Sequence, residues 1–237
     1  MSTTNNDLPH YPGTELDAMS TAMNYHRWIV DSFRPYFGKS VAEVGAGIGT
    51  ISQFLLETGL DRLVAFEPSP NMYPVLEKKL RHEQRAQAIN DFFQPDGRLD
   101  SFDSVVYINV LEHIEDDRRE LANALAALKP GGHLLVFVPA LAWLYSEFDR
   151  QIGHYRRYTK AGLAQLARKL GYTDVRTRYF DVIGIVPWYV MFVLLRKHVG
   201  YNSVTLYDKL IVPPLRRIER VVPPPIGKSV LLIARKP

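Results

Sequence analysis

Cysteine is absent from the 237 residues, which removes disulfide staples, thiolate zinc sites and a cysteine nucleophile together. The cytoplasm is the expected compartment. Long apolar runs suited to a membrane span are also missing. The charge-free stretch Val182 to Leu195 contains Gly184 and Pro187 and is shorter than the ~20 residues a membrane helix needs. Any membrane contact is therefore expected to be peripheral, through 182–220. A large excess of one charge is missing as well: 29 Lys and Arg against 25 Asp and Glu leave +4. A solvated basic surface accounts for that, so no nucleic-acid partner is expected. Residues 1–14 lack the charged start and apolar core of a signal peptide, and 1–18 is expected to be a flexible polar arm. What is present suits one folded unit. Hydrophobic residues make up 46%, and a chain of this length buries a substantial core as a single α/β domain over 1–237.

The most informative segment is Val41-Ala-Glu-Val-Gly-Ala-Gly-Ile-Gly-Thr50. An apolar run from Lys39 to Val44 reads as a buried parallel strand, and Ile51, Phe54 and Leu55 have helical spacing after it. Glycines between strand and helix permit positive φ and let a ligand approach the backbone. A dinucleotide fingerprint would carry its third glycine at position 50, where this chain has Thr. Glu43, close to the turn, would repel a pyrophosphate and attract a cationic group. The ligand suggested is a nucleoside bearing a positive charge.

Glu43 to Gly49 resembles motif I of the class I S-adenosylmethionine-dependent methyltransferases. The resemblance implies a Rossmann-like α/β fold: a seven-stranded, mostly parallel sheet whose last strand is antiparallel. It also implies S-adenosylmethionine as cofactor, held by Gly45, Ala46, Gly47 and Gly49 beside Glu43. Leu63 to Phe66 reads as the second strand; Glu67 follows it, about 20 residues past the glycines, where such folds present a carboxylate to ribose hydroxyls. Pro68-Ser-Pro70 then stops the strand and starts a helix. Ala86 to Ile89 leads to Asn90-Asp91-Phe92, which resembles the family's third-strand Asp facing the adenine, with Phe92 packing on the purine. Ser101 to Asp117 resembles the fourth-strand motif, in which Asn109 and Val110 lie beside the methionine portion. Leu128-Lys-Pro-Gly-Gly132 reads as a helix-ending turn before a fifth strand, His133 to Val138, and also matches the family.

Between Pro139 and Thr159 lies an aromatic and charged stretch expected over the active face. Its Gly153-His-Tyr-Arg-Arg-Tyr158 string resembles a bacterial subgroup of these methyltransferases, as do Asn24-Tyr-His-Arg-Trp28 and Pro225-Ile-Gly-Lys-Ser-Val-Leu231. Where that subgroup often carries Asn and Asp, this chain has Thr50 and Glu67. Methyl transfer from a sulfonium is an in-line displacement, so the protein supplies alignment and a dry site, and the chemistry itself requires no metal. An O or N acceptor also needs a proton removed, for which His154 and His113 are the catalytic candidates. Tyr25, Trp28, Tyr145, Tyr158 and Trp188 are candidates for walling the acceptor, and Arg156 for holding an anionic group on it.

The last strand reads as Ser229 to Arg235, and it pairs in this fold with a sixth strand over Asp174 to Phe180. The long connection between them, 184–226, is a helical insertion that emerges on the cofactor side. Leu206, Leu210, Ile211, Leu215 and Ile218, with Arg216, Arg217 and Arg220, give it an amphipathic face. Three roles are open to it: a lid over an apolar substrate, a homodimer contact, or a foot on a membrane surface. The expected acceptor is a small or lipid-like molecule. A nucleic-acid or protein methyltransferase would show a basic stripe, an appended module, or an Asn/Asp-Pro-Pro-aromatic tetrad, where this chain has Asn109-Val-Leu-Glu112. A non-catalytic relative would have less reason to keep Glu43, the glycines, Glu67 and Asp91.

Overall fold

The computed structural model describes residues 20–95, 97–196 and 201–237. The expected arm over 1–18 lies outside them. A seven-stranded sheet runs through the molecule in the order β3-β2-β1-β4-β5-β7-β6. Its strands are β1 Ser40–Val44, β2 Arg62–Phe66, β3 Ala86–Ile89, β4 Phe102–Ile108, β5 Leu128–Pro139, β6 Thr173–Phe180 and β7 Ser229–Arg235. Neighbours from β3 to β5 are parallel, and β7 is antiparallel to both β5 and β6. The expected sheet and its reversed last strand are both present.

β1 sits between β2 and β4 and is buried at all five positions, as a strand covered on both faces must be. Alternate residues divide between two cores. Val41 joins Leu63, Val106, Leu135 and Leu231 on one face, under α1 (Met23–Phe33) and α2 (Thr50–Leu56). Ala42 and Val44 join Val64, Tyr107, Val136 and Leu232 on the other, under α4 (Asp117–Ala127) and α6 (Lys160–Lys169). Between α2 and α4 in the chain, α3 (Tyr73–Leu80) buries Leu76 and Leu80 beside Ala65. Phe33 is fully buried, and truncating such a side chain to Ala costs about 3–5 kcal/mol.

Two sequence expectations are corrected here. The Lys129-Pro-Gly-Gly132 segment is not a turn. α4 ends at Ala127, Leu128 is already extended, and β5 begins at once. Gly131, at φ 79°, lies instead in an irregular stretch of β5 where the register against β4 jumps from Phe102↔Leu128 to Ser104↔His133. The insertion, in turn, is only partly above the sheet's carboxyl edge. It contains α7 (Ile185–Trp188), a π-helical turn (Tyr189–Leu194), α8 (Tyr201–Leu210) and α9 (Val212–Val221). α8 and α9 pack on α1, with Val212 and Leu215 buried in the core beneath it.

α1 has no side-chain cap of its own. The Asp208 carboxylate of α8 caps it instead, accepting from the Asn24 N–H at 3.1 Å and the Tyr25 N–H at 2.8 Å. Glu219 of α9 accepts the N–H groups of Asp181 and Val182 at 3.1 and 2.9 Å, where the chain leaves β6. No helix among the described residues is long and apolar enough to cross a membrane. α5 (Glu147–Gln151) lies in the loop after β5.

Candidate active site

The carboxyl ends of β1, β2 and β4 open into a cavity of about 600 Å³, a size suited to a nucleoside cofactor together with a small second ligand. Gly45, Gly47 and Gly49 all hold left-handed φ, at 67, 56 and 78°. A Cβ on Gly45 would stand 2.6 Å from Val110 Cγ2, so the turn can meet the end of β4 only without one. Gly45, Ala46 and Gly47 line the cavity, as does Val110. Gly49 does not. It forms the N-terminal cap of α2, and a Cβ there would stand 2.9 Å from Leu76, so its requirement is packing rather than ligand contact.

Glu67 holds this turn together. One oxygen accepts the Gly47 N–H at 2.7 Å and the other accepts the Ser69 N–H at 2.9 Å. The carboxylate is buried yet lines the cavity beside Pro68, and desolvation raises its pKa against the pull of those two donors. Glu43 lies beneath the turn and accepts from Ser52 Oγ. Burial pushes it up to about 8, against the Ser52 hydrogen bond and with a further push from Glu67. Two confined carboxylates, both raised by burial, suit a cationic ligand, whose charge would lower both. At the rim, Asp91 accepts the N–H of Phe92, whose ring is 43% exposed along the cavity. Asn109 also lines it, at φ 53°, a left-handed conformation Asn tolerates better than most residues.

At the other end of the cavity a turn after β4 carries Glu112 and His113, and the loop after β5 brings in His154. The two imidazole rings meet edge to face at 4.6 Å. His154 Nδ1 lies 2.9 Å from Asp149 Oδ1. Asp149, fully buried, is fixed by a two-pronged contact with Arg157 at 2.9 and 3.0 Å and by Ser146 N–H and Oγ–H at 2.8 Å. Desolvation and the neighbouring His154 push the His113 pKa down to about 3, so His113 is neutral at ordinary pH.

Several residues predicted to touch the acceptor serve elsewhere. Trp28 is buried in the core with its ring 3.8 Å from that of Phe180. Tyr145 donates to the His154 carbonyl at 2.7 Å, holding the loop from behind. Arg156 reaches Asp117 at 2.8 Å and the Glu115 carbonyl at 2.6 Å. Tyr158 donates to Asp117 and Leu111. None of these four lines the cavity. The aromatic and basic string is mainly a clamp that pins the His154 loop to 111–117, assisted by the Tyr155 N–H to the Glu112 carbonyl at 2.8 Å. Tyr25 and Trp188 do line the cavity, with Lys228 Nζ 4.8 Å from the Tyr25 ring centre and 5.8 Å from that of Trp188. Glu112, Arg157, Lys228 and His26 line it too. Of the groups that matter here, Asp149 left the clearest trace in the sequence: Ser146-x-x-Asp149 has the spacing of a capping box, which α5 forms.

The chain matches a family model described as a methyltransferase domain over residues 28–177. It belongs to the class I S-adenosylmethionine-dependent methyltransferases. Its cofactor is S-adenosylmethionine. The methyltransferase is 28% identical over 170 residues to a ubiquinone biosynthesis O-methyltransferase of Xanthomonas oryzae pv. oryzae, covering 64% of this chain and 68% of that one. It is 31% identical over 134 residues to a demethylmenaquinone methyltransferase of Renibacterium salmoninarum, covering 54% of this chain and 53% of that protein. In three dimensions it is similar to phosphoethanolamine N-methyltransferase 2 of Haemonchus contortus, solved with phosphomonomethylethanolamine and S-adenosylhomocysteine. That likeness has a TM-score of 0.62 at 21% identity and covers 90% of this chain but 52% of the longer one. At that identity it establishes the shared fold.

Proposed function

We propose that this methyltransferase methylates an oxygen or nitrogen of a small-molecule or lipid-like acceptor. The observation that carries the reading is continuity: one cavity joins the glycine turn to the cluster of Glu112, His113 and His154. When bound, S-adenosylmethionine supplies an electrophilic methyl carbon; the acceptor's lone pair bonds to it while the carbon–sulfur pair stays on sulfur, giving S-adenosylhomocysteine and a proton. In this reading Gly45, Ala46, Gly47 and Pro68 shape the cofactor end. Glu67 meets the ribose hydroxyls, Asp91 and Phe92 meet the adenine, and Glu43, Asn109 and Val110 flank the methionine portion. His154 takes the acceptor's proton, with Asp149 orienting its ring through Nδ1. His113 contributes a neutral wall, and Tyr25 and Trp188 flank the acceptor.

The quinone-pathway names of the sequence relatives support an acceptor with an aromatic hydroxyl or ring and an apolar tail. Exposed Val186, Leu194, Leu206, Leu210, Ile218 and Val221 on the insertion support a surface through which such a tail meets lipid. Calorimetry with S-adenosylhomocysteine, followed by mass spectrometry of a catechol and hydroquinone panel, tests the reading. Absence of cofactor binding at millimolar concentration would sink it, and transfer to none of the hydroxylated rings would remove the acceptor class.

A further inference from the structure

Glu112 is fully buried, and neither carboxylate oxygen accepts a hydrogen bond from another residue. Buried carboxylates are normally paired, hydrogen-bonded or bound to metal. The nearest guanidinium does not serve, because Arg157 is committed to Asp149 in a two-pronged contact. Nor does His154: its Nε2 is 3.8 Å from Glu112 Oε1, too far for a hydrogen bond. His113 completes the group, and the three residues offer ligand atoms that all lie within 4.8 Å of one another. Ligands about 2.0–2.1 Å from a tetrahedral metal lie about 3.3–3.4 Å apart, so the Glu112–His154 gap is nearly of the width a cation spans.

From this geometry we infer that Glu112, His113 and His154 form a divalent-cation site in the cavity wall, on the acceptor side. Two imidazoles and one carboxylate favour a first-row transition ion such as Fe²⁺, Co²⁺ or Zn²⁺ over Mg²⁺ or Ca²⁺. The surroundings agree. A ligating imidazole ordinarily has its second ring nitrogen held by a carboxylate, and Asp149 holds His154 at Nδ1. Both histidines and Glu112 face the cavity, so three protein ligands leave a coordination position open to an acceptor oxygen or nitrogen. The inference rests on the reading of this wall as the place where the acceptor loses its proton. With the cation bound, His154 serves as a ligand instead of the proton acceptor it is without one, and the acceptor's proton, made more acidic by the cation, passes to solvent.

Cobalt titration of the full chain tests the site apart from activity. The wild type is expected to take up one equivalent of Co²⁺ with the visible absorption bands of a four- or five-coordinate ion. Glu112→Gln and His154→Ala are each expected to weaken that uptake at least tenfold while S-adenosylhomocysteine affinity, measured by calorimetry on the same samples, stays within twofold. No bands in the wild type at millimolar Co²⁺ would overturn the inference, as would wild-type uptake by both folded variants. If one variant loses its fold, the other decides. Cobalt uptake without S-adenosylhomocysteine binding would keep the cation site and sink the methyl-transfer reading; the reverse result would sink the cation site alone.

Discussion

At the scale of single residues, Gly47 and His154 separate the two halves of the chemistry. Gly47 lines the end of the cavity proposed for the cofactor, at φ 56°, where any side chain is strained and an arginine would also fill the space. Gly47→Arg is expected to abolish S-adenosylhomocysteine binding in calorimetry. His154→Ala leaves that end untouched; binding is expected to persist while transfer to a catechol acceptor falls about 10²–10⁴-fold, the usual range for a lost proton acceptor. Unchanged turnover would remove His154 from the chemistry. The left-handed conformations of Gly45 and Gly47 were legible from spacing alone because a strand-to-helix turn of this kind requires them locally. Those of Tyr145, Arg156 and Tyr158 were not. Whether such a side chain faces a cavity or braces a loop depends on what lies opposite it, here Asp117, Leu111 and the Glu115 and His154 carbonyls.

At the scale of elements, α1 and the insertion depend on each other. Asp208 caps α1 across most of the chain's length in sequence, and losing a helix cap costs about 1 kcal/mol. Asp208→Ala is therefore expected to lower the thermal midpoint, with a larger loss because the Asn24 side-chain amide also donates to this carboxylate. An unchanged midpoint would show that the helix is held by packing alone. The insertion meets the cavity chiefly through Trp188, whose indole N–H donates to the Leu144 carbonyl at 3.2 Å. Trp188→Ala is expected to raise the acceptor KM several-fold and leave cofactor affinity within twofold. Equal effects on both ligands would place Trp188 in general packing. The amphipathic stripe of the insertion was readable from sequence, but its partner was not: Val212 and Leu215 face the core under α1, while Ile218 and Val221 face outward.

At the scale of the whole molecule, burial of titratable groups ties stability to pH. Glu43 is pushed from 4.5 up to about 8 by desolvation, so across that window the folded chain holds a proton the unfolded chain has lost, and raising the pH removes stability. His26 is pushed by burial from 6.5 down to about 4, so below 6.5 the unfolded chain binds the proton first, and lowering the pH removes stability. The two oppose each other between 4.5 and 6.5. Above 6.5 only raised carboxylates remain: Glu43, Glu112, which burial pushes up to about 7, and Glu67, also raised, all act in the same sense. Without cofactor, stability is expected to fall from pH 6.5 to 8, by at most about 1.4 kcal/mol per pH unit for each such proton, and is read as a falling thermal midpoint. Glu43→Gln should flatten that limb; an equally steep limb in the variant would show that other groups set it.

Taken by itself, the sequence determined where the strands lie and the glycine turn after the first of them, and its resemblance to a known family implied the reversed last strand, the cofactor and the class of reaction. The strands and the turn rest on local rules: apolar runs that must be buried, and glycines at positive φ between a strand and a helix. Only the tertiary structure decided which side chains share the acceptor end. Glu112, His113, Asp149 and His154 come from two loops, and only the clamp of 111–117 against the His154 loop brings them together. That convergence depends on distances between elements, which spacing along a chain does not encode.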